Sequence, residues 1–364
     1  MLSPTPLILL QQLTDDQHTN SPIFADGLLP AYRYNRYWYY QRPDPNLFFT
    51  AISVFTLQQT LPDLSPAEQA LASAIIDRAR PAYAHFRNKD GLTTYNFYAT
   101  NPSRHFPHGW LMHRFRHFQL PDDIDDTAMV YLTCRGGPAQ TSPDDLLFLT
   151  KKLAQHANGS QLAVRNTFSE YRSLRAYSTW FGKAMPIEFD ACAMANMLCC
   201  VYTYGLPLDA HAQDSLTLLA DLISTDRYRT DPFRAAHNYA RPAIIAYHMA
   251  RLMANHDPEI LRPVRAKLIT DMRIDFGSAT HPMEQILWAT SLLRLGEKAP
   301  DVPLDDIEAH FHDFSFFIAG MLSAYEQPWL YRWAHHPFWH IRWRCDAHCR
   351  VLLLEYLVLK KPKA

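Results

Sequence analysis

Glycine is scarce in this sequence, at 11 of 364 residues, whereas it makes up roughly 7% of an average protein. So few glycines leave few positions for the tight turns that β-hairpins require. The 26 prolines form no low-complexity tract and stand at segment starts, as in "SPAEQALASAIIDRA", where Ser65, Pro66 and Glu68 have the pattern of a helix N-terminus. The composition therefore predicts an all-α fold.

The sequence also lacks an excess of charge, a cysteine motif and a long apolar run. Its 35 basic and 36 acidic residues leave a net charge of −1, which offers no field to nucleic acid. The six cysteines include no Cys-x-x-Cys pair, which indicates reduced and mostly buried thiols. No apolar run approaches the ~18 residues of a membrane span, and no signal-peptide pattern is present. We therefore expect a cytoplasmic protein with no transmembrane segment and no nucleic-acid partner.

Apolar helical segments recur along the chain, and six of them are apolar nearly all round, which predicts burial on more than one side. These six segments begin at Asp44, Asp122, Phe189, Arg241, His281 and Cys345. More polar, amphipathic segments lie between them. The alternation predicts an α/α toroid, in which about six inner helices surround a cavity and amphipathic helices form the outer layer. A single domain would span 1–364, with 1–43 as a partly irregular segment packed on the rim.

The inner helices of a toroid run roughly parallel, so their N-terminal ends, with unpaired N–H groups and positive dipole ends, converge on one rim. Several polar residues at or near these helix starts are candidates for a substrate cavity. They are Asp44, Asp122, Asp190, Asn196, His237, Tyr239 and Arg241. Acidic residues also favour helix N-termini simply as caps. Their recurrence at several helix starts nevertheless favours a shared site.

The most crowded acidic stretch is "DIDDTAM", Asp123 to Met129. It resembles the DxDD motif of class II terpene cyclases, which include squalene–hopene cyclases and plant diterpene cyclases and carry the motif in an α/α toroid. The resemblance implies that this chain cyclises a small hydrophobic isoprenoid by protonating an alkene or epoxide. Asp125 would be the general acid, and Asp123 and Asp126 would hold it in the reactive geometry.

This chemistry has physical requirements that the composition meets. Protonation of a carbon–carbon double bond needs a strong acid kept away from water, and crowded carboxylates cannot all ionise. The resulting carbocation needs aromatic faces, which 20 Phe, 19 Tyr and 8 Trp can supply. No cofactor is required, although Mg²⁺ would serve if the substrate carried a diphosphate. Because class II sites usually lie between two helical domains, the resemblance makes a second helical domain or protein a candidate partner that would complete this site.

Two metal-dependent alternatives share some of these residues. Asp122, Asp123 and Asp126 also fit the DDxxD spacing of class I terpene synthases, which bind Mg²⁺, but "NTFSEYRSL" has Ser173 where the second metal motif needs an acid. The second alternative is zinc. Asp190-x-Cys192 resembles two zinc ligands of the protein prenyltransferase β-subunits, with His237 or His248 as the third ligand.

Two aromatic segments and two further functions remain open. "YRWAHHPFWHIRWRCDAHCRVLL", 331–353, has His and Cys at no standard ligand spacing and favours packing. "AYRYNRYWYYQRPDPN", 31–46, fits either a loop across the rim or a grip on a diphosphate. A toroid can also be a non-catalytic binding scaffold. Carbohydrate cleavage by two separated carboxylates ranks below terpenoid chemistry.

Overall fold

The structure is a computed structural model that describes residues 4–17, 21–134, 136–182 and 185–361. Helices dominate it, as the sequence predicts. The α-helices are α1 (Pro6–Gln17), α2 (Phe48–Thr60), α3 (Pro66–Ala79), α4 (Ile124–Thr133), α5 (Pro143–His156), α6 (Ala191–Thr203), α7 (Ala210–Ser224), α8 (Arg227–Thr230), α9 (Pro232–Ala235), α10 (Pro242–His256), α11 (Arg265–Ser278), α12 (Pro282–Arg294), α13 (Pro328–Tyr331) and α14 (Asp346–Lys360). The strands are β1 (Tyr32–Asn35), β2 (Tyr40–Pro43), β3 (Phe317–Gly320) and β4 (His340–Arg344).

The six apolar segments of the sequence form α2, α4, α6, α10, α12 and α14. Each of these helices packs on the next in chain order, and α14 packs on α2, so that the contacts close into a cycle. Their side chains are buried almost throughout, as in α6, where every residue from Ala191 to Val201 is buried. The more polar α3, α7 and α11 pack against α2, α6 and α12 respectively. Within the described ranges, no helix is both long and apolar enough to cross a bilayer.

Four short strands correct the expectation of an all-α fold. They form an antiparallel sheet in the order β2-β1-β4-β3. Tyr32 of β1 lies opposite Arg344 of β4, and Tyr34 lies opposite Arg342. Aromatic and basic residues alternate in both strands, which fits the period of two in β-structure. The sheet therefore joins the N-terminal part of the chain to its C-terminal part.

The segment 1–43, predicted to be partly irregular, contains a helix and two strands. Residues 1–3 and 18–20 of that segment lie outside the described residues. α1 packs against α3 and α14, and β1 lies between β2 and β4 in the sheet. The aromatic and basic stretch after Ala31 is thus a β-hairpin rather than a loop.

Asp44, which we expected to line a substrate cavity, instead belongs to a buried ion pair. Arg33 donates from Nη1 to Asp44 Oδ2 at 2.5 Å, and both side chains are 0% exposed. The Tyr98 hydroxyl donates to the same oxygen at 3.0 Å, while Arg33 also donates to the backbone oxygen of Phe106 at 3.0 Å. The pair fastens the hairpin of β1 and β2 to the connection between α3 and α4.

This ion pair predicts a large effect of Asp44→Ala on stability. Removing the carboxylate leaves Arg33 buried without its counter-charge, which should cost about 3–5 kcal/mol of unfolding free energy. Urea unfolding followed by circular dichroism measures it. Asp313→Ala is the control, because the Arg36–Asp313 pair has side chains that are 66% and 41% exposed and should contribute at most about 1 kcal/mol. Equal losses in the two variants would contradict the assignment.

Candidate active site

Asp123 caps the N-terminus of α4 with its side chain. Its Oδ1 accepts hydrogen bonds from the backbone N–H of Asp125 at 2.9 Å and of Asp126 at 2.7 Å. These are two of the N–H groups that a helix start leaves without partners. Asp123 is therefore a cap, and by the same bonds it fixes Asp125 and Asp126 in the first turn of the helix.

Asp125 is held by residues from two other parts of the cycle of helices. Asn196 of α6 donates from Nδ2 to Asp125 Oδ1 at 2.6 Å. The hydroxyl of Tyr239, three residues before α10, donates to Oδ2. Behind Asn196, the fully buried Arg251 of α10 donates from Nη2 to the amide oxygen. Both carboxyl oxygens of Asp125 thus accept a hydrogen bond, and a positive charge lies one residue away.

The cluster of Asp123, Asp125 and Asp126 retains protons to higher pH than exposed aspartates do. Burial raises the pKa of Asp125 to about 6, against the opposing hydrogen bonds from Tyr239 and Asn196 and the charge of Arg251. The pKa values of Asp123 and Asp126 are raised well above the ordinary range by burial and by neighbouring carboxylates. Because so little water reaches the cluster, its members do not all ionise at neutral pH.

The carboxyl side chains face a cavity with an aromatic lining. Its volume is about 160 Å³, which is room for a ligand rather than for a single trapped water. Asp123, Asp125 and Asp126 line it together with the aromatic residues Phe48, Phe97, Phe106, Trp180, Tyr239, Phe317 and Trp343. One cavity therefore brings together the first turns of α2, α4 and α6 and the residues Asn238 and Tyr239, which precede α10.

The sheet forms one wall of this cavity. β3 contributes Phe317, Ile318, Ala319 and Gly320, and β4 contributes Trp343. The rings of Phe317 and Trp343 stack with their centroids 5.3 Å apart. This side of the cavity therefore comes from strands of the same chain.

Glu188 is a cavity carboxyl that the sequence analysis missed. Asn238 donates from Nδ2 to its Oε1 at 2.9 Å, and burial raises its pKa to about 7. Two residues later, Asp190 caps α6 by accepting from the backbone N–H of Cys192 at 2.9 Å, and burial raises its pKa to about 7 as well. The available signal was an acidic residue in the apolar stretch "PIEFDACA", just before an inner helix.

Three other predicted cavity residues are engaged elsewhere. Asp122 accepts hydrogen bonds from Thr94 and Asn88 in the connection before α4. The Nε2 of His237 lies 2.7 Å from the Tyr331 hydroxyl, and burial lowers the pKa of this histidine to about 4. Arg241 forms an ion pair with Glu284 at 2.6 Å. None of the three lines the cavity of Asp125, because each side chain is directed to a partner outside it.

The alternative zinc ligands, Asp190, Cys192 and His237, do not form a ligand set. Asp190 directs its oxygens to backbone N–H groups, one of them that of Asn238 at 2.8 Å. Burial raises the pKa of the Cys192 thiol well above its usual value, which opposes the thiolate that zinc needs. In the described parts of the chain, no three His, Cys, Asp or Glu side chains are grouped as metal ligands.

Comparisons with known proteins show a fold and no family. No protein-family model matches this sequence, and no curated protein matches it. The chain is similar to a solved structure described as the crystal structure of a protein from Actinoplanes, with a TM-score of 0.55 and 16% sequence identity over 98% of this chain and 99% of that one. At this identity the similarity is one of fold alone.

The burial of Glu188 predicts how Glu188→Gln changes the dependence of stability on pH. The raised pKa means that the folded protein keeps a proton that the unfolded chain loses above about pH 4.5, so the glutamate's contribution to stability falls as the pH rises towards 7. Glutamine does not titrate. The variant should therefore gain about 3 kcal/mol relative to wild type between pH 4 and pH 8.

Urea unfolding of both proteins at several pH values measures the difference in their unfolding free energies. The other titrating groups contribute equally to both proteins and therefore cancel in this difference. A difference between the two proteins that stays constant with pH would show that Glu188 ionises freely in the folded state.

Proposed function

We propose that this protein is an α/α-toroid enzyme of the class II terpene cyclase type. Asp125 would protonate an alkene of an isoprenoid whose reacting end enters the aromatic cavity. The observation that carries the proposal is the placement of Asp125, whose buried carboxyl faces the cavity and is hydrogen-bonded by Asn196 and Tyr239. The closed cycle of six apolar helices supports the toroid.

The first step transfers one proton from the Asp125 carboxyl to a terminal carbon of the substrate's double bond. The π-electrons of that bond form the new C–H bond and leave a carbocation on the neighbouring carbon. A second double bond of the substrate then attacks the cation, which closes a ring and moves the positive charge along the chain. The final cation loses one proton to water, and the Asp125 carboxylate takes one proton back from solvent. The product then has the same atoms as the substrate, and the acid is restored.

The neighbours of Asp125 stabilise the carboxylate that remains after transfer. Hydrogen bonds from Tyr239 and Asn196 favour the ionised form, and Arg251 polarises Asn196 from behind. This matters because alkenes are weak bases, and only a conjugate base held by preorganised donors makes the transfer fast. Asp123 holds the first turn in place through its backbone hydrogen bonds and therefore has a positioning role.

The aromatic walls suit the cationic intermediates. Aromatic faces attract a positive charge through their electron-rich π systems, by roughly 0.5–2 kcal/mol each. Phe48, Phe317 and Trp343 lie on the side of the cavity formed by α2 and the sheet, and Phe48 meets Phe317 edge to face at 5.3 Å. The same walls keep bulk water from quenching the cation.

Asp125→Asn should abolish turnover while the fold stays intact, because the amide has nearly the same shape and no acidic proton. The expected loss exceeds about 3 kcal/mol of transition-state stabilisation. The assay is incubation with a panel of prenyl diphosphates and squalene, followed by mass spectrometry. In D₂O the wild-type product should gain one deuterium, since the Asp125 proton exchanges with solvent and ends on carbon.

Asp122→Asn is the matched control within the motif. Asp122 lies outside the cavity and is required only by the DDxxD alternative, so this variant should keep most of the turnover. Near-normal activity of Asp125→Asn would remove Asp125 as the acid. Loss of activity in Asp122→Asn, with a product free of deuterium, would favour metal-assisted loss of diphosphate.

Tyr239→Phe should shift the pH profile of the same reaction. Asp125 must be protonated to react, so kcat/KM falls as the pH rises through its pKa. Loss of the Tyr239 hydrogen bond destabilises the carboxylate and raises that pKa, so the falling limb should move to higher pH by roughly one unit. Tyr228→Phe is the control. It also removes a buried tyrosine hydroxyl, which donates to Asp271 at 3.1 Å, but Tyr228 does not line the cavity. An unshifted limb in Tyr239→Phe would contradict the role of Tyr239.

A further inference from the structure

A second cavity is lined in part by β3 and β4. Its volume is about 480 Å³, and its polar lining includes Arg241, Ser315 and Arg342. Phe317 and Ile318 line both this cavity and the one at Asp125. The two cavities therefore share a wall, but Arg241, Ser315 and Arg342 do not line the acid cavity.

Arg342, in the middle of β4, is a partly buried cation with positive neighbours. Burial and the charges of Arg241 and Arg36 lower its pKa. Both of those arginines have acidic partners, Glu284 at 2.6 Å for Arg241 and Asp313 for Arg36. Across the described residues, no carboxylate lies within ion-pair distance of Arg342. A partly desolvated cation without a counter-charge is unfavourable unless an anion binds to it.

Ser315 gives an independent indication that a ligand binds here. Its side chain is 1% exposed, and its hydroxyl finds no hydrogen-bond partner among the described residues. Buried hydroxyls without a partner are uncommon, and each one needs an explanation. Because Ser315 lines the same cavity as Arg342, a single ligand with several oxygen atoms would satisfy both side chains.

The charge balance of the cavity favours an anion. Asp231 is the acidic residue of its lining, and it is held by Arg234 at 3.4 Å and by the backbone N–H of Arg234. Arg241 is neutralised by Glu284, which leaves the charge of Arg342 uncompensated. Phe233, Phe316 and Phe317 add apolar walls, so that the cavity suits a ligand with an anionic head and an apolar body.

We propose that this cavity binds a phosphate or diphosphate group, with Arg342 as its principal partner and Ser315 and Arg241 as further donors. The planar guanidinium pairs with two phosphate oxygens at once. A phosphate also offers a further oxygen to the Ser315 hydroxyl, whereas a carboxylate has only two. The proposal does not rest on the chemistry of Asp125, because it uses a separate set of residues.

The test is calorimetric titration of the full-length protein at constant ionic strength with inorganic phosphate, inorganic pyrophosphate, geranyl diphosphate and geraniol. Arg342→Gln should raise the Kd of pyrophosphate by roughly tenfold or more, because it removes a charged hydrogen-bonding partner. Ser315→Ala should raise it by a smaller factor and provides a second reading if Arg342→Gln folds poorly. Asp125→Asn should leave it unchanged.

Arg344→Gln is the matched control. It removes the same charge from the same strand, but Arg344 does not line the cavity and donates to the backbone oxygen of His312 at 3.3 Å. Tight binding of geranyl diphosphate with weak binding of pyrophosphate would support the site and identify a phosphorylated apolar ligand; tight binding of both would support an inorganic anion as well. Three results would overturn the proposal. They are an equal loss of pyrophosphate affinity in Arg342→Gln and Arg344→Gln, equal affinity for geraniol and geranyl diphosphate, and no binding of any probe.

Discussion

The site depends on one buried chain of hydrogen bonds, from Arg251 through Asn196 and Asp125 to Tyr239. It connects α4, α6 and α10 below the cavity, so the positions of three helices determine the geometry of a single carboxyl group. Arg251 is 0% exposed, and no carboxylate of the described residues lies within ion-pair distance of it. Its charge is balanced through the Asn196 amide by Asp125, whose pKa it lowers. A buried cation and a buried acid thus require each other.

The sheet, which joins the N-terminal and C-terminal parts of the polypeptide, forms part of the cavity above these hydrogen bonds. β1 and β4 are more than 300 positions apart in the sequence and pair directly, and β3 and β4 bring Phe317 and Trp343 into the lining of the cavity. The strands β1, β3 and β4 have only four or five residues each. Strands this short are not stable alone and depend on packing against the rest of the protein. The sheet is therefore part of the site, because five of its residues line the cavity together with the carboxyl groups at the helix starts.

The helices that form the site could be predicted from the sequence, but the parts that close it could not. Six apolar segments and the acidic motif predicted the buried helices and the position of Asp125 in a first helical turn. The sheet was missed because strands of four or five residues carry little local signal and are stabilised by distant partners. Asp44 was misassigned because a carboxylate before a helix looks the same whether it faces a cavity or Arg33. Arg251 and Glu188 were missed because charged residues inside apolar segments ordinarily argue against burial.

The acidic motif caps α4, and the same stretch of chain places a buried carboxyl group at the cavity. One oxygen of Asp123 accepts hydrogen bonds from two backbone N–H groups. This capping gives acceptors to donors that the buried start of α4 would otherwise leave without a partner. The capping bonds also fix Asp125 in the first helical turn, where its carboxyl meets Asn196 and Tyr239. Burial raises the pKa of Asp125 to about 6, while the hydrogen bonds and the charge of Arg251 stabilise its anion. The two effects oppose each other in the pKa of Asp125, and the proton donor proposed above needs both of them, because it must carry a proton near neutral pH and be stable as an anion after transfer.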